Sequence, residues 1–326
     1  MIQKIRLHKF LKKLVSDAKL DFTNPEIQKN IKQYGVRING HLVDNRLEWV
    51  TTQDKISIDH WPRREHGNPQ LIEVIRENSN YAVLFKPPGL VVQPGAGHMS
   101  NNLMSWLAKH LDYTDGNPSD FNYGLVHRID KDTQGLLLIA KNPASFVNYK
   151  DQFKQRSITK KYLAVVEGQM NEVISLQTFQ ARDKSQPTRL KGFWLETEAH
   201  HYDQKYRNAL SRFEPLRYCE EANQTLVQIQ IFTGRMHQIR LQAEMLHHPL
   251  SGDTKYHRVI EDTYPQKKVE KTKADIALME RDEFNSLVDL IFLPSKFQLL
   301  SNFLLFEDLD GSTVEVEYRS IESLLA

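Results

Sequence analysis

Gly124-Leu125-Val126-His127-Arg128-Ile129-Asp130-Lys131-Asp132-Thr133-Gln134-Gly135-Leu136-Leu137-Leu138-Ile139-Ala140 is the stretch on which the reading of this chain turns. A strand-like approach ends in His-Arg-x-Asp, and a short polar loop returns into an apolar run of strand length. A loop held between two strands presents a carboxylate at a rigid place. The kinase catalytic loop is the tempting false match, but Ile129 separates Arg128 from Asp130. The chain also lacks Asp-Phe-Gly and a glycine loop over phosphates.

Two further segments stand beside it. Lys86-Pro87-Pro88-Gly89-Leu90-Val91-Val92-Gln93-Pro94-Gly95 fixes a backbone path with proline and glycine. Phe232-Thr233-Gly234-Arg235-Met236-His237-Gln238-Ile239-Arg240 follows a strand and is predicted to open a helix over 234–246. That helix would carry Arg235, Gln238 and Gln242 on one face. An arginine at a helix start opposes the helix dipole, so an anion is expected opposite Arg235.

Around these segments, short strand-like runs dominate. Tyr81–Phe85, Leu136–Ala140 and the alternating Val227, Ile229 and Ile231 are predicted strands, and helices are predicted over 101–110 and 274–291. Strands with scattered helices indicate α+β rather than a regular βαβ repeat. The polar stretch 258–285 reads as a surface insertion.

Residues 5–59 read as a separate compact unit. Leu7, Phe10, Leu11 and Leu14 recur at helical spacing, a second helix is predicted over Pro25–Gln33, and Val36–Val43 reads as strand, Asn-Gly turn, strand. Trp61–Pro69 has the composition of a linker. The division is therefore 1–60, a linker 61–69, and a larger domain 70–326.

Net charge is only +2 over 326 residues, but residues 1–65 carry 13 Lys and Arg against 8 Asp and Glu, leaving the rest net acidic. A basic front unit is the footprint of a polyanion-binding module. Lys9, Lys12, Lys13 and Arg37 are its candidate phosphate contacts. Cys219 is the one cysteine, which excludes an internal disulfide and a zinc cluster. No apolar stretch approaches the roughly 20 residues of a membrane span, and the start lacks a secretory core. A cytoplasmic, monomeric protein is expected, without membrane or metal.

Together the segments resemble the RluA/RluD-type pseudouridine synthases of the large ribosomal subunit. The family's His-Arg-Leu-Asp and Thr-Ser-Gly-Leu-Leu are matched by His127–Asp130 and Thr133–Leu137. Lys160–Gly168 resembles its Lys-x-Tyr-x-Ala segment, and Thr233–Arg240 and Gly252–Tyr256 resemble the later two motifs. Residues 5–59 resemble the alpha-L RNA-binding module. Ile129 and Gln134 depart from the pattern, and 169–224 and the tail beyond 257 match poorly.

The resemblance implies a mixed, largely antiparallel central sheet with flanking helices, preceded by the small RNA-binding domain. It implies uridine isomerisation in RNA, most naturally ribosomal, by base flipping and without a cofactor. Asp130 would be the catalytic carboxylate, as nucleophile or as base, with Arg235 as its counter-charge. Tyr162 would stack on the flipped base and serve as a later general base. Arg128 would fill the vacated space. Lys86, on its own residues, reads either as a phosphate contact or as a solvated turn residue. His127 is expected to be a structural hydrogen-bonder. A binding or assembly factor that has lost activity is the alternative, and loss would show first at Asp130, Tyr162 or Arg235.

Overall fold

The computed structural model describes residues 4–17, 24–58, 68–95, 98, 101–186, 188–257 and 299–318. The linker expected over 61–69 lies mostly outside the described residues. The insertion expected over 258–285 and the helix expected over 274–291 lie wholly outside them.

In the front unit, β1 (Ile5–Arg6) leads into α1 (Leu7–Asp17), followed by α2 (Asn24–Tyr34), β2 (Val36–Ile38), β3 (His41–Val43), β4 (Trp49–Val50) and β5 (Ile56–Ser57). Leu7 and Leu11 of α1 meet Ile27 and Ile31 of α2 and Val36 and Val50 of the strands in one small core. The predicted hairpin is present: β2 pairs with β3 across Asn39 and Gly40, both at positive φ. That conformation is what an Asn-Gly turn provides. Lys9, Lys12, Lys13 and Arg37 are exposed.

The rest of the described chain is built on one ten-stranded sheet. Its elements are β6 (Glu73–Glu77), β7 (Tyr81–Lys86), α3 (Leu103–His110), β8 (Gln134–Ala140), α4 (Pro143–Gln155), β9 (Thr159–Glu167), β10 (Ile174–Arg182), β11 (Leu190–Phe193), α5 (Glu196–Tyr202), β12 (Arg207–Cys219), β13 (Gln224–Ile231), α6 (Gln238–Met245), β14 (Leu299–Glu307) and β15 (Thr313–Glu317). The order is β11-β10-β12-β13-β9-β14-β8-β7-β6, with β15 paired to β14. The β14–β8 pair is parallel and the other named pairs are antiparallel. The sheet is thus mixed and largely antiparallel, as expected.

Every residue of β8 is buried, because both faces of the sheet are covered there. Leu137 and Ile139 face a core shared with Leu103 and Leu107 of α3 and Ile239 and Ala243 of α6. Leu136, Leu138 and Ala140 face the other side, with Tyr149 of α4 and Phe306 of β14. That two-sided burial is why the sequence shows a continuous apolar run instead of alternation.

Three local expectations change. The strand-like approach expected at Gly124–Val126 is not a regular strand: it follows a turn over 118–124 with Asn122 and Tyr123 in the left-handed region, and Leu125 makes an isolated bridge to Ile139. The helix predicted from Gly234 begins at Gln238, since His237 sits in the left-handed region at φ 52. Arg235 therefore lies in the loop before α6 and not on its first turn. The helix α4 is additional: Asn142 caps it, accepting from the Ser145 N–H, and Pro143 occupies its first turn.

Candidate active site

The loop between the 3-10 turn and β8 is fixed at both ends. At its start, His127 Nε2 accepts a hydrogen bond from the Leu138 N–H at 2.8 Å. The ring stacks on Phe153 of α4, with centroids 4.5 Å apart. Burial, with the Lys160 charge nearby, pushes the imidazole down to about 3, so the ring is neutral and can accept that bond. Ile129 is buried in the core below the loop.

At the far end, the Lys86 ammonium donates to three backbone carbonyls: Pro87 at 2.8 Å, Leu90 at 2.8 Å and Lys131 at 2.9 Å. It thereby clips the Pro-Pro-Gly turn to the loop that carries Asp130. Lys86 is fully buried, which corrects both expectations, the phosphate contact and the solvated turn residue. Burial drives its pKa down to about 7, against the opposing pull of Asp132 and Asp130. Three carbonyl acceptors match the three protons of the ammonium.

Beyond the loop, Gly135 has φ +112, and a Cβ there would run into the backbone of Ser301. Glycine permits that approach. Gly135 pairs with Ser301 on β14, and Ser301 pairs with Tyr162 on β9. The row across three strands sets Tyr162 beside the loop of Asp130.

A cavity of ≈ 520 Å³ opens here, lined by Asp130, Tyr162, Arg128, Arg235, His237 and Arg240 among others. That volume suits a nucleotide-sized ligand. The Asp130 side chain is 22% exposed; His237 Nε2 lies 3.9 Å and an Arg240 terminal nitrogen 4.0 Å from its Oδ2. The guanidinium nearest the carboxylate is therefore Arg240 and not Arg235. Arg235 instead donates through Nε to the Asn208 carbonyl at 3.0 Å. The shift of the α6 start explains the correction, because Arg240 is the arginine on the helix's first turn.

Arg240 and His237 are each held by the motif at 252–256. Asp253 accepts two 2.7 Å hydrogen bonds from Arg240, a bidentate pair. Burial pushes the Asp253 carboxyl up, but hydrogen bonds and charge from Arg240, with the N–H groups of Lys255 and Tyr256, hold it below its ordinary value. The Tyr256 hydroxyl accepts from the Leu190 N–H at 2.8 Å and meets His237 Nδ1 at 2.9 Å.

Burial raises the Tyr256 hydroxyl to about 12, so it keeps its proton. The other ring nitrogen, Nε2, is the one on the side of Asp130. Burial lowers the His237 pKa despite the Asp130 charge, consistent with a neutral ring. Asp130 thus faces a guanidinium and an imidazole, both braced from behind.

Tyr162 is buried, and burial holds its hydroxyl above the ordinary value while a hydrogen bond with Ser301 opposes the shift. The hydroxyl therefore carries its proton at neutral pH, which weighs against the expected role as a general base. Arg128 is exposed at the cavity rim. Asp132 is exposed and lies outside the cavity lining. Reading the motifs as blocks missed the roles of His237, Arg240, Asp253 and Tyr256. Their signal is the spacing: residues three apart in 252–256 brace residues three apart in 237–240.

The sequence pattern described as RNA pseudouridylate synthase matches residues 80–245, which contain the loop, Tyr162 and the α6 start. The chain is similar to an uncharacterized RNA pseudouridine synthase of Bacillus subtilis, 30% identical over 256 residues, 77% of this chain and 78% of that protein. It is similar also to the ribosomal large subunit pseudouridine synthase D of Zymomonas mobilis, 31% identical over 236 residues and 71% of each chain. The solved structure of human RNA Pseudouridylate Synthase Domain Containing 1 shares the fold, with a TM-score of 0.54 at 19% identity, covering 78% of this chain and 86% of that one. A sequence match of this extent, spanning the loop of Asp130, Tyr162 on β9 and the start of α6, shows the family: the chain belongs to the RNA pseudouridylate synthases, of the RluA/RluD type.

Proposed function

We propose that the protein converts selected uridines of structured RNA, in the large ribosomal subunit, into pseudouridine, with Asp130 as the catalytic carboxylate and no cofactor. The observation that carries this reading is the Asp130 carboxylate in the cavity, facing Arg240 and His237. The names of the Zymomonas mobilis relative and of a Pasteurella multocida ribosomal large subunit pseudouridine synthase D support the ribosomal substrate.

The reaction breaks the N1–C1′ bond and forms C5–C1′, while C5 loses a proton and N1 gains one. Atoms and electrons balance within the nucleotide, so no oxidant and no imported group is required. Asp130 either attacks C1′ or removes the C2′ proton to give a glycal. Both routes need an oriented carboxylate, and the Arg240 guanidinium and the His237 imidazole face it from the helix side. A target uridine inside folded RNA must swing out of its stack to reach the carboxylate. The flipped uracil then lies against the Tyr162 ring, and Arg128 at the rim takes the space the base has left. The front unit, 1–60, adds affinity through its exposed cations, and the protein acts as a monomer.

Pseudouridine mapping of total RNA from cells with and without the protein tests the assignment. Specific sites in large-subunit ribosomal RNA are expected to lose the modification. An unchanged map in every RNA class contradicts it.

A further inference from the structure

Among the described residues, Asp130 is the only carboxylate on the cavity wall, yet the same wall carries Arg128, Lys154, Arg156, Lys160 and Arg235. Three of these come from different elements and converge. Arg156 follows the last turn of α4, Lys160 lies on β9, and Arg235 sits in the loop before α6. None of the three forms an ion pair with a carboxylate among the described residues.

Lys160 is 8% exposed, and its ammonium lies 5.2 Å from the Phe153 ring centroid. A buried cation is ordinarily paired. Arg156 adopts the left-handed conformation at φ 61 and ψ 30 to end α4, a place that glycine usually takes. The groups also feel one another. Burial and then Arg156 push Lys160 down to about 8, and burial, Arg156 and Arg207 lower Arg235. Arg156 is the shared neighbour, so the cluster is mutually repulsive in the free protein. Carboxylates placed among the cations would relieve that repulsion, and the described residues supply none.

We infer that Arg156, Lys160 and Arg235 form a subsite for one phosphodiester of the RNA, the one flanking the uridine held at Asp130. The inference rests on the proposed function in one respect only, that the cavity receives a uridine. A phosphate oxyanion takes charge-assisted hydrogen bonds from guanidinium and ammonium groups together. Its single negative charge offsets part of the repulsion among the three, so binding relieves a tension already present. The subsite also fixes the nucleotide by its backbone, leaving the base free to turn within the cavity after the glycosidic bond breaks. Holding by phosphate carries no base information.

Three small probes test the subsite without a known target RNA: uridine, uridine 3′-monophosphate and uridine 5′-monophosphate, each titrated against the full chain by ligand-observed NMR. One of the two monophosphates is expected to bind about tenfold more tightly than uridine. Arg156→Gln, at an exposed position, is expected to remove most of that preference. Lys160→Gln is expected to remove it too, and Lys160→Arg to restore it. Asp130→Asn is expected to keep the preference, so the subsite and the catalytic assignment fail separately. Equal binding of all three probes, or no binding by any, overturns the subsite. A phosphate preference that survives both Arg156→Gln and Lys160→Gln overturns it as well.

Discussion

Arg235 and Arg240 stand on either side of the start of α6 and serve different ends. Arg240 is buried, paired bidentately with Asp253 and turned to Asp130. Arg240→Met leaves the Asp253 carboxylate buried without its partner, which typically costs about 3–5 kcal/mol. It is expected to lower the melting temperature sharply and to abolish most of the single-turnover rate. Arg240→Lys is expected to recover stability only in part, because a point charge lacks the planar fork. Arg235→Met is expected to leave stability nearly unchanged and to weaken substrate binding more than the saturating rate. The reverse ranking of the two methionine variants in the rate would contradict this division. The same scale explains why the sequence misled: both arginines stand in one quoted motif, and only the left-handed turn at His237 settles which one reaches the carboxylate.

Elements, more than single side chains, hold the loop rigid. Lys86→Met strips donors from the carbonyls of Pro87, Leu90 and Lys131, and each buried acceptor left unpaired costs about 1–3 kcal/mol. The variant is expected to show both a lower melting temperature and a collapsed rate; a rate within twofold of wild type would show that the clip does not govern the loop. His127 gives a pH signature. Its imidazole is held at about 3 in the folded protein against an ordinary 6.5. As pH falls below about 6.5 the unfolded chain binds the proton first, so stability drops from there down towards 3 and this contribution is flat above. In His127→Gln that part of the melting-temperature profile is expected to flatten; an unchanged slope between pH 6.5 and 4 would mean the ring is not buried neutral.

Much of this layer was legible in the sequence. The strands β7, β8 and β13 are apolar or alternating runs bounded by turn residues. No element is predicted over 143–155, although Asn142, Pro143 and the stripe of Phe146, Tyr149 and Phe153 mark α4. The 3-10 path before His127 was not legible. It depends on Gly124, whose φ of +71 brings its backbone against Ala140, a meeting of distant parts of the chain. The bracing of Arg240 and His237 by Asp253 and Tyr256 is tertiary in the same way: the motifs are visible, but which atom meets which is decided by packing.

At the scale of the whole molecule, the exposed lysines of α1 stand on a unit with a core of its own. Removing residues 1–60 is expected to weaken binding to large structured RNA and to flatten its salt dependence. The slope of log affinity against log salt should fall by roughly 0.7–0.9 for every phosphate that the front unit no longer neutralises. The saturating single-turnover rate is expected to change much less, since the cavity is lined entirely by residues from 126 onwards. A collapsed saturating rate with an unchanged salt slope would show that the front unit builds the site.

The central claim is that one carboxylate, Asp130, performs the isomerisation, and release of tritium from C5-labelled uridine in unmodified ribosomal RNA tests it most directly. Asparagine keeps the size of Asp130 but cannot act as an anion. Asp130→Asn is expected to fold and bind RNA as the wild type does while releasing no tritium above background under conditions where wild type releases it fully. Turnover by Asp130→Asn at even a tenth of the wild-type rate would contradict the account.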